Sequence, residues 1–155
     1  MMATTTGQVR REGEPEMKMK PVIESSDAMA ITQAAMNHAA ANHWSVTICV
    51  VDAGAQVLTL HRMDGADPGT VAVAEGKARS AALFRGPTRD LADRLGAGEL
   101  GLLRLPDGMP MQGAMPIVVE GEVIGAVGVS GVASADDEAI ATVAIEAVFG
   151  DQSGS

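Results

Sequence analysis

Aromatic side chains are nearly missing from this sequence: two Phe, one Trp and no Tyr make up 2% of 155 residues. Ala, Val, Leu and Met must therefore fill any core, and small side chains suit helices packed closely on a sheet. The same scarcity removes the stacking surface an RNA reader needs. Cysteine is scarcer still. A lone Cys49 makes no intrachain disulfide, so a reducing, cytoplasmic setting is expected. Cations are outnumbered, 11 Lys and Arg against 20 Asp and Glu, for a net charge of −9. Nucleic acid and anionic membrane surfaces repel such a chain, so neither is expected as a partner. No apolar run is long enough to span a bilayer. Residues 1–20 lack the apolar segment of a secretory signal.

What is present is 46% apolar, enough for one core in a chain of single-domain length. Residues 1–21 are polar and without periodicity, and read as a disordered tail. Residues 22–150 read as the domain and residues 151–155 as a short tail. Ser25 or Ser26 can cap a first helix reaching Asn42, with Ile31, Ala34, His38 and Ala41 at helical spacing. Residues 45–52 (SVTICVVD) are β-branched and residues 56–62 (QVLTLHR) return, making a hairpin about Asp52-Ala53-Gly54-Ala55. A turn-rich loop, DGADPG, leads into an Ala-rich helix from Thr70 to Phe84. Its packing stripe is Val71, Ala74, Ala78 and Ala81, and Glu75 and Arg79 are spaced to pair. A short helix follows to Leu95. Residues 109–112 suggest a short strand, and residues 115–119 and 122–130 a second hairpin. Ser134-Ala-Asp-Asp resembles a capping box opening a last helix that Gly150 ends. Two hairpins separated by helices imply a mainly antiparallel sheet with helices packed on it.

Hairpin geometry says which polar residues meet. Asp52 lies beside the first turn and Arg62 at the hairpin's far end, about 20 Å away at strand rise, so they share no site. If strand one pairs antiparallel with the strand ending at Ser130, one sheet end gathers Arg62, Asp64, Gln112, Gly113, Ser130 and Gly131. The helix from Thr70 leaves that end, which lets Lys77 flank it. Arg62 can grip a carboxylate through two parallel hydrogen bonds, and glycine-rich turns add backbone donors. The plainer reading is an Arg62–Asp64 ion pair that fixes the loop.

Five segments, in order, resemble one family. Val50-Val51-Asp52-Ala53-Gly54, His61-Arg62-Met63-Asp64-Gly65-Ala66, Lys77-Ala78-Arg79-Ser80-Ala81, the strand GEVIGAVGVSG from Gly121, and Asp136-Asp137-Glu138 are similar to the GlcG/HbpS-like family, which is related to the PduO C-terminal domain. The match runs from about residue 22 to residue 149. One departure is Ala114 where the family carries a second glycine before its fourth strand. The resemblance implies a profilin-like α/β (α+β) sandwich with a five-stranded antiparallel sheet. It also implies homo-oligomers, and members linked to haem binding or small-acid and diol metabolism.

Haem is thus a candidate ligand, with His38, His43, His61, Cys49, Met109 and Met111 as candidate donors. His38 on an apolar face has packing as its plainer role, and His61 faces away from Arg62. Covalent haem attachment is excluded by the absence of C-x-x-C-H. A zinc site is excluded as well, since His38 and His43 are five apart and no Cys cluster exists. No nucleotide fingerprint precedes a helix. The expected function is a homo-oligomeric small-molecule-binding protein taking haem or another small anion through Arg62, Gln112, Gly113, Ser130, Gly131 and His38. The competing class is a cofactor-independent isomerase, hydratase or hydrolase. There Arg62 and Lys77 would stabilise an enolate or carboxylate while Asp64 or Glu75 moves a proton. The third is a scaffold oligomer.

Overall fold

The structure is a computed structural model and describes residues 12–153. In chain order its elements are α1 (Ser25–Ala41), β1 (Thr47–Asp52), β2 (Val57–Arg62), α2 (Thr70–Leu83), α3 (Thr88–Gly96), a 3-10 turn (Leu100–Arg104), β3 (Ala114–Val119), β4 (Glu122–Ser130) and α4 (Ser134–Phe149). The start of α1 is set by Glu24 rather than by either serine: its N–H donates to the Asp27 carboxylate at 2.9 Å. This supplies an acceptor for an N–H that the helix leaves unpaired.

The sheet is antiparallel with order β2-β1-β4-β3. β1 is central and buried along nearly its whole length, which is why its sequence is continuously apolar rather than alternating. Four strands form it, not five. Residues 109–112 take no part, because Met109 N–H is drawn to the Ser80 hydroxyl at 2.6 Å instead of to a neighbouring strand. The result is an α+β fold of one antiparallel sheet and four helices.

Helices cover both faces. On one, Ala28, Ile31, Ala35 and Ala39 of α1 and Ile140, Ala141, Ala144 and Ile145 of α4 meet Val46, Ile48, Val50, Ile117, Ile124, Val127 and Val129. On the other, Ala74, Ala78, Ala81 and Ala82 of α2 meet Cys49, Val51, Ala55, Ala114 and Ala126. The second interface is built almost wholly from methyl groups, so α2 lies very close to the sheet. A Cβ on Gly128 would meet Ala74 O and stand 2.6 Å from Ala78 N. Opposite Ile117 and Val118 the β4 register slips by one residue, leaving Ile124 unpaired. That bulge lets Ile124 and Val127 face the same core although they are three apart.

Residues 1–11 of the tail read from the sequence lie outside the described residues. From residue 12 to Pro21 the chain has no helix or strand, and Lys18 and Lys20 reach Glu122 at 2.8 and 3.3 Å. Among the described residues no helix is long and apolar enough to cross a membrane. Cys49 is fully buried under α2. Burial, with Glu75 adding to it, pushes its thiol up to about 12. A thiol held in that form is a poor nucleophile. The folded protein at pH 8 is expected to leave Ellman's reagent unreacted over minutes, and to yield its one thiol when denatured.

Candidate functional site

The register fixes the sheet end that the sequence singles out. Thr47, the first residue of β1, stands opposite Arg62 on one side and Ser130 on the other. Directly opposed residues point to the same face, so Arg62, Thr47 and Ser130 form one row on the α2 face. They span two strand spacings, about 10 Å. The first residue of α2 closes over that row, with Thr70 and Thr47 hydroxyls 2.7 Å apart. Asp52 lies at the opposite end of β1, where its Oδ1 accepts from Gly54 and Gln56 N–H at 2.9 and 3.0 Å.

Arg62 is exposed, and among the described residues it has no acidic partner within ion-pair distance. The Arg62–Asp64 pair expected as the plainer reading does not form. Asp64 is exposed in the loop after β2, Ser130 is buried and Gly131 is exposed beside it. Gln112 is half-buried on the approach to β3. Gly113 is there for a backbone reason. Its φ is +138°, and a Cβ would stand 2.6 Å from Lys77 Nζ and 2.9 Å from Val129 O. Only glycine fits both demands.

Lys77 does not flank an open site. Its side chain is enclosed, the residue being 1% exposed. Nζ donates to Val129 O and to Asp137 Oδ2, each at 3.0 Å. Asp137 Oδ1 in turn accepts Val132 N–H at 3.1 Å. Thus Asp137, read from the sequence as a capping-box acid, ties α4 to α2 around the end of β4, and the residue before α4, Ala133, supplies no side-chain cap. Burial holds the Asp137 carboxyl above the ordinary aspartate value, and its bond with Lys77 opposes that rise. Beside it Arg89 donates to Glu138 Oε1 at 2.8 Å, while the buried Oε2 of Glu138 lacks a partner among the described residues. Arg79 does not pair with Glu75. It reaches across to Asp107 at 3.1 Å and to Ala55 O. Ala114, the departure from the family pattern, donates its N–H to Thr88 Oγ1 and places its methyl in the α2 interface.

The candidate haem donors separate by exposure. Cys49 is sealed in the core, and Met109 packs against Gly76. His38 is half-buried and edge-on to Trp44, with ring centroids 6.4 Å apart. His43 is exposed just past α1, where φ is +58°. His61 stands opposite Ile48, on the face away from Arg62. It lines an open groove of about 350 Å³ between α1 and β2, with Met29, Met36, Thr59 and Leu60. An exposed imidazole beside thioethers and apolar carbon is a donor set that fits haem. No group of three or more His, Cys, Asp or Glu that could hold a metal ion occurs among the described residues.

A single antiparallel sheet, helices on both faces and an unpaired arginine at the glycine-bounded sheet end define an α+β protein with a candidate anion site. The family follows from comparison. Residues 23–146 match the family model described as "Haem degrading protein HbpS-like". Protein GlcG of Escherichia coli K12 is 39% identical over 114 residues, covering 74% of this chain and 85% of GlcG. Among solved structures, a double mutant of Streptomyces reticuli HbpS is 30% identical with a TM-score of 0.79, covering 92% of this chain and 96% of that one. A PduOC:heme complex is 26% identical with a TM-score of 0.77, covering 83% and 96%. The chain belongs to the HbpS-like family.

Proposed function

We propose that this chain is a small-molecule-binding protein of profilin-like architecture. It works in the cytoplasm as a homo-oligomer and takes haem or another small organic anion at the Arg62 end of its sheet. One observation carries the reading: in a chain of net charge −9, Arg62 is an exposed cation with no acid beside it among the described residues. It shares its row with two hydroxyls. An unpaired guanidinium keeps its fork of donors free for a carboxylate. Haem fits that class through its propionates, and the PduOC:heme complex among the structural relatives supports haem as the first ligand to try. Bound haem would supply a redox-active iron. For the oligomer, Leu100 and Leu103 of the 3-10 turn are 69% and 64% exposed, an apolar pair that a second copy would cover.

The test is a haemin titration of the purified protein followed at the Soret band, with sedimentation giving the mass. Saturable binding is expected. Arg62→Ala should weaken it about tenfold, the value of one charge-assisted contact, while His38→Ala, His43→Ala and His61→Ala leave it unchanged; loss of the band in His61→Ala alone would place haem in the α1–β2 groove instead. A weak shift without saturation, indifferent to Arg62 and to all three histidines, would reject haem. A monomer at all concentrations would reject the oligomer.

A further inference from the structure

Opposite the Arg62 end, β4 begins at Glu122 and β1 runs into the turn at Ala53. Three cations converge there on one carboxylate. Lys18 Nζ donates to Glu122 Oε1 at 2.8 Å, while Lys20 and Arg85 approach Oε2 at 3.3 and 3.5 Å. The local balance is three positive charges to one negative, the reverse of the chain as a whole. Other neighbouring acids form no ion pair with these cations among the described residues. Asp52 Oδ1 is engaged by the N–H groups of Gly54 and Gln56. Glu120 lines a separate cavity with Phe149 and Asp151.

Beneath the cations lies a groove of about 360 Å³ whose walls include Val22, Ala53, Ala82, Leu83 and Val123. That volume is within the ordinary range for small-molecule sites. Arg85 has five N–H donors, and its contact with Glu122 is long. Lys20 has three, and it shares the same carboxylate oxygen with Arg85. Two cations drawn to one oxygen are within reach of a single additional anionic group, and the apolar walls favour a ligand with a hydrocarbon body.

We infer that this groove binds a small organic monoanion, a carboxylate on a compact apolar body. The carboxylate sits between Lys20 and Arg85, and the body lies along Leu83 and Val123. The site is independent of the Arg62 site, from which the length of the sheet separates it.

The experiment is a titration of the full, isotope-labelled chain with benzoate at constant ionic strength, read by backbone amide shifts. Saturable shifts are expected at Ala53, Leu83, Glu122 and Val123. Lys20→Gln combined with Arg85→Gln should weaken binding about tenfold or more, and Arg62→Ala should leave it unchanged, so the two sites fail or stand separately. Benzylamine, with the same ring and the opposite charge, should produce no saturable shift. Both substitutions are at exposed positions, and an unchanged amide spectrum away from them confirms folding. Shifts that rise without saturation, equal binding of benzylamine, saturable shifts confined to Thr47 and Ser130, or a double variant that binds as the parent does would each overturn the proposal.

Discussion

Lys77→Met is expected to cost the protein about 3–5 kcal/mol, the usual penalty for leaving one member of a buried ion pair alone. For a chain of this size that is a fall of roughly 10 °C in Tm. Met matches the buried stem of Lys77, so the loss isolates the ammonium and its two bonds, to Val129 O and Asp137 Oδ2. Replacing both partners, Lys77→Met with Asp137→Leu, should recover much of the loss, since two apolar groups of similar shape leave no buried charge. The deficit should also depend on pH. Burial holds Asp137 above its ordinary value of 3.8, opposed chiefly by Lys77. An acid with a raised folded pKa binds more protons folded than unfolded. Its contribution to stability therefore declines as pH rises from the unfolded value through the folded one, and is level beyond. Without Lys77 that folded value moves higher still. The variant should come closest to the parent in acid and fall furthest behind at neutral pH. Thermal melts between pH 4 and 8 check this, and a deficit constant across that range would sink it.

Gly128→Ala is expected to be nearly as damaging, about 3 kcal/mol, the upper part of the usual overpacking range. The added methyl would strike backbone atoms of α2, Ala74 O and Ala78 N, rather than the end of a flexible side chain. The only relief is to lift the helix off the sheet, which opens the methyl-packed layer around Cys49, Val51 and Ala126. Trimming the facing side chain should help little, so Gly128→Ala with Ala78→Gly should stay destabilised. Gly101→Ala is the control, since nothing stands near a Cβ there. Urea denaturation should give a lower midpoint at unchanged slope for Gly128→Ala, and the parent's midpoint for the control.

Most of the fold was legible because the elements differ in side-chain type. β-branched runs mark the strands, and Ala-rich runs mark the helices. The pairing of β1 with β4 was a supposition, since two hairpins in one sheet allow other strand orders, and the structure supplies it together with the row of Arg62, Thr47 and Ser130. That residues 109–112 form no fifth strand was not legible, because the hydroxyl that holds residue 109 comes from α2, far away in sequence. Lys77 was placed beside the Arg62 site because the helix from Thr70 leaves that end of the sheet. Yet it lies three residues after Ala74 and four before Ala81, squarely on the packing stripe, and that spacing was the available signal. Asp137 was hidden differently. An acid three residues after Ser134 has a local explanation as a cap, and nothing local says that its partner is 60 positions away. Arg79 was likewise assigned to the nearer Glu75, whereas tertiary structure supplies Asp107.

The near-absence of aromatics has an optical consequence. With no Tyr and a single Trp, essentially all fluorescence excited at 280 nm comes from Trp44. That indole sits edge-on to His38 and packs on the core shared by α1 and α4. It precedes Ser45, whose hydroxyl lies against Gly65 and whose carbonyl lies against Gly131. The chromophore is therefore mounted at the Arg62 end of the sheet, with the groove of Lys20 and Arg85 at the other. A colourless ligand that changes the emission reports from the first end. One that binds while the emission stays silent reports from the second. The protein is thus its own position-sensitive detector, with no label attached.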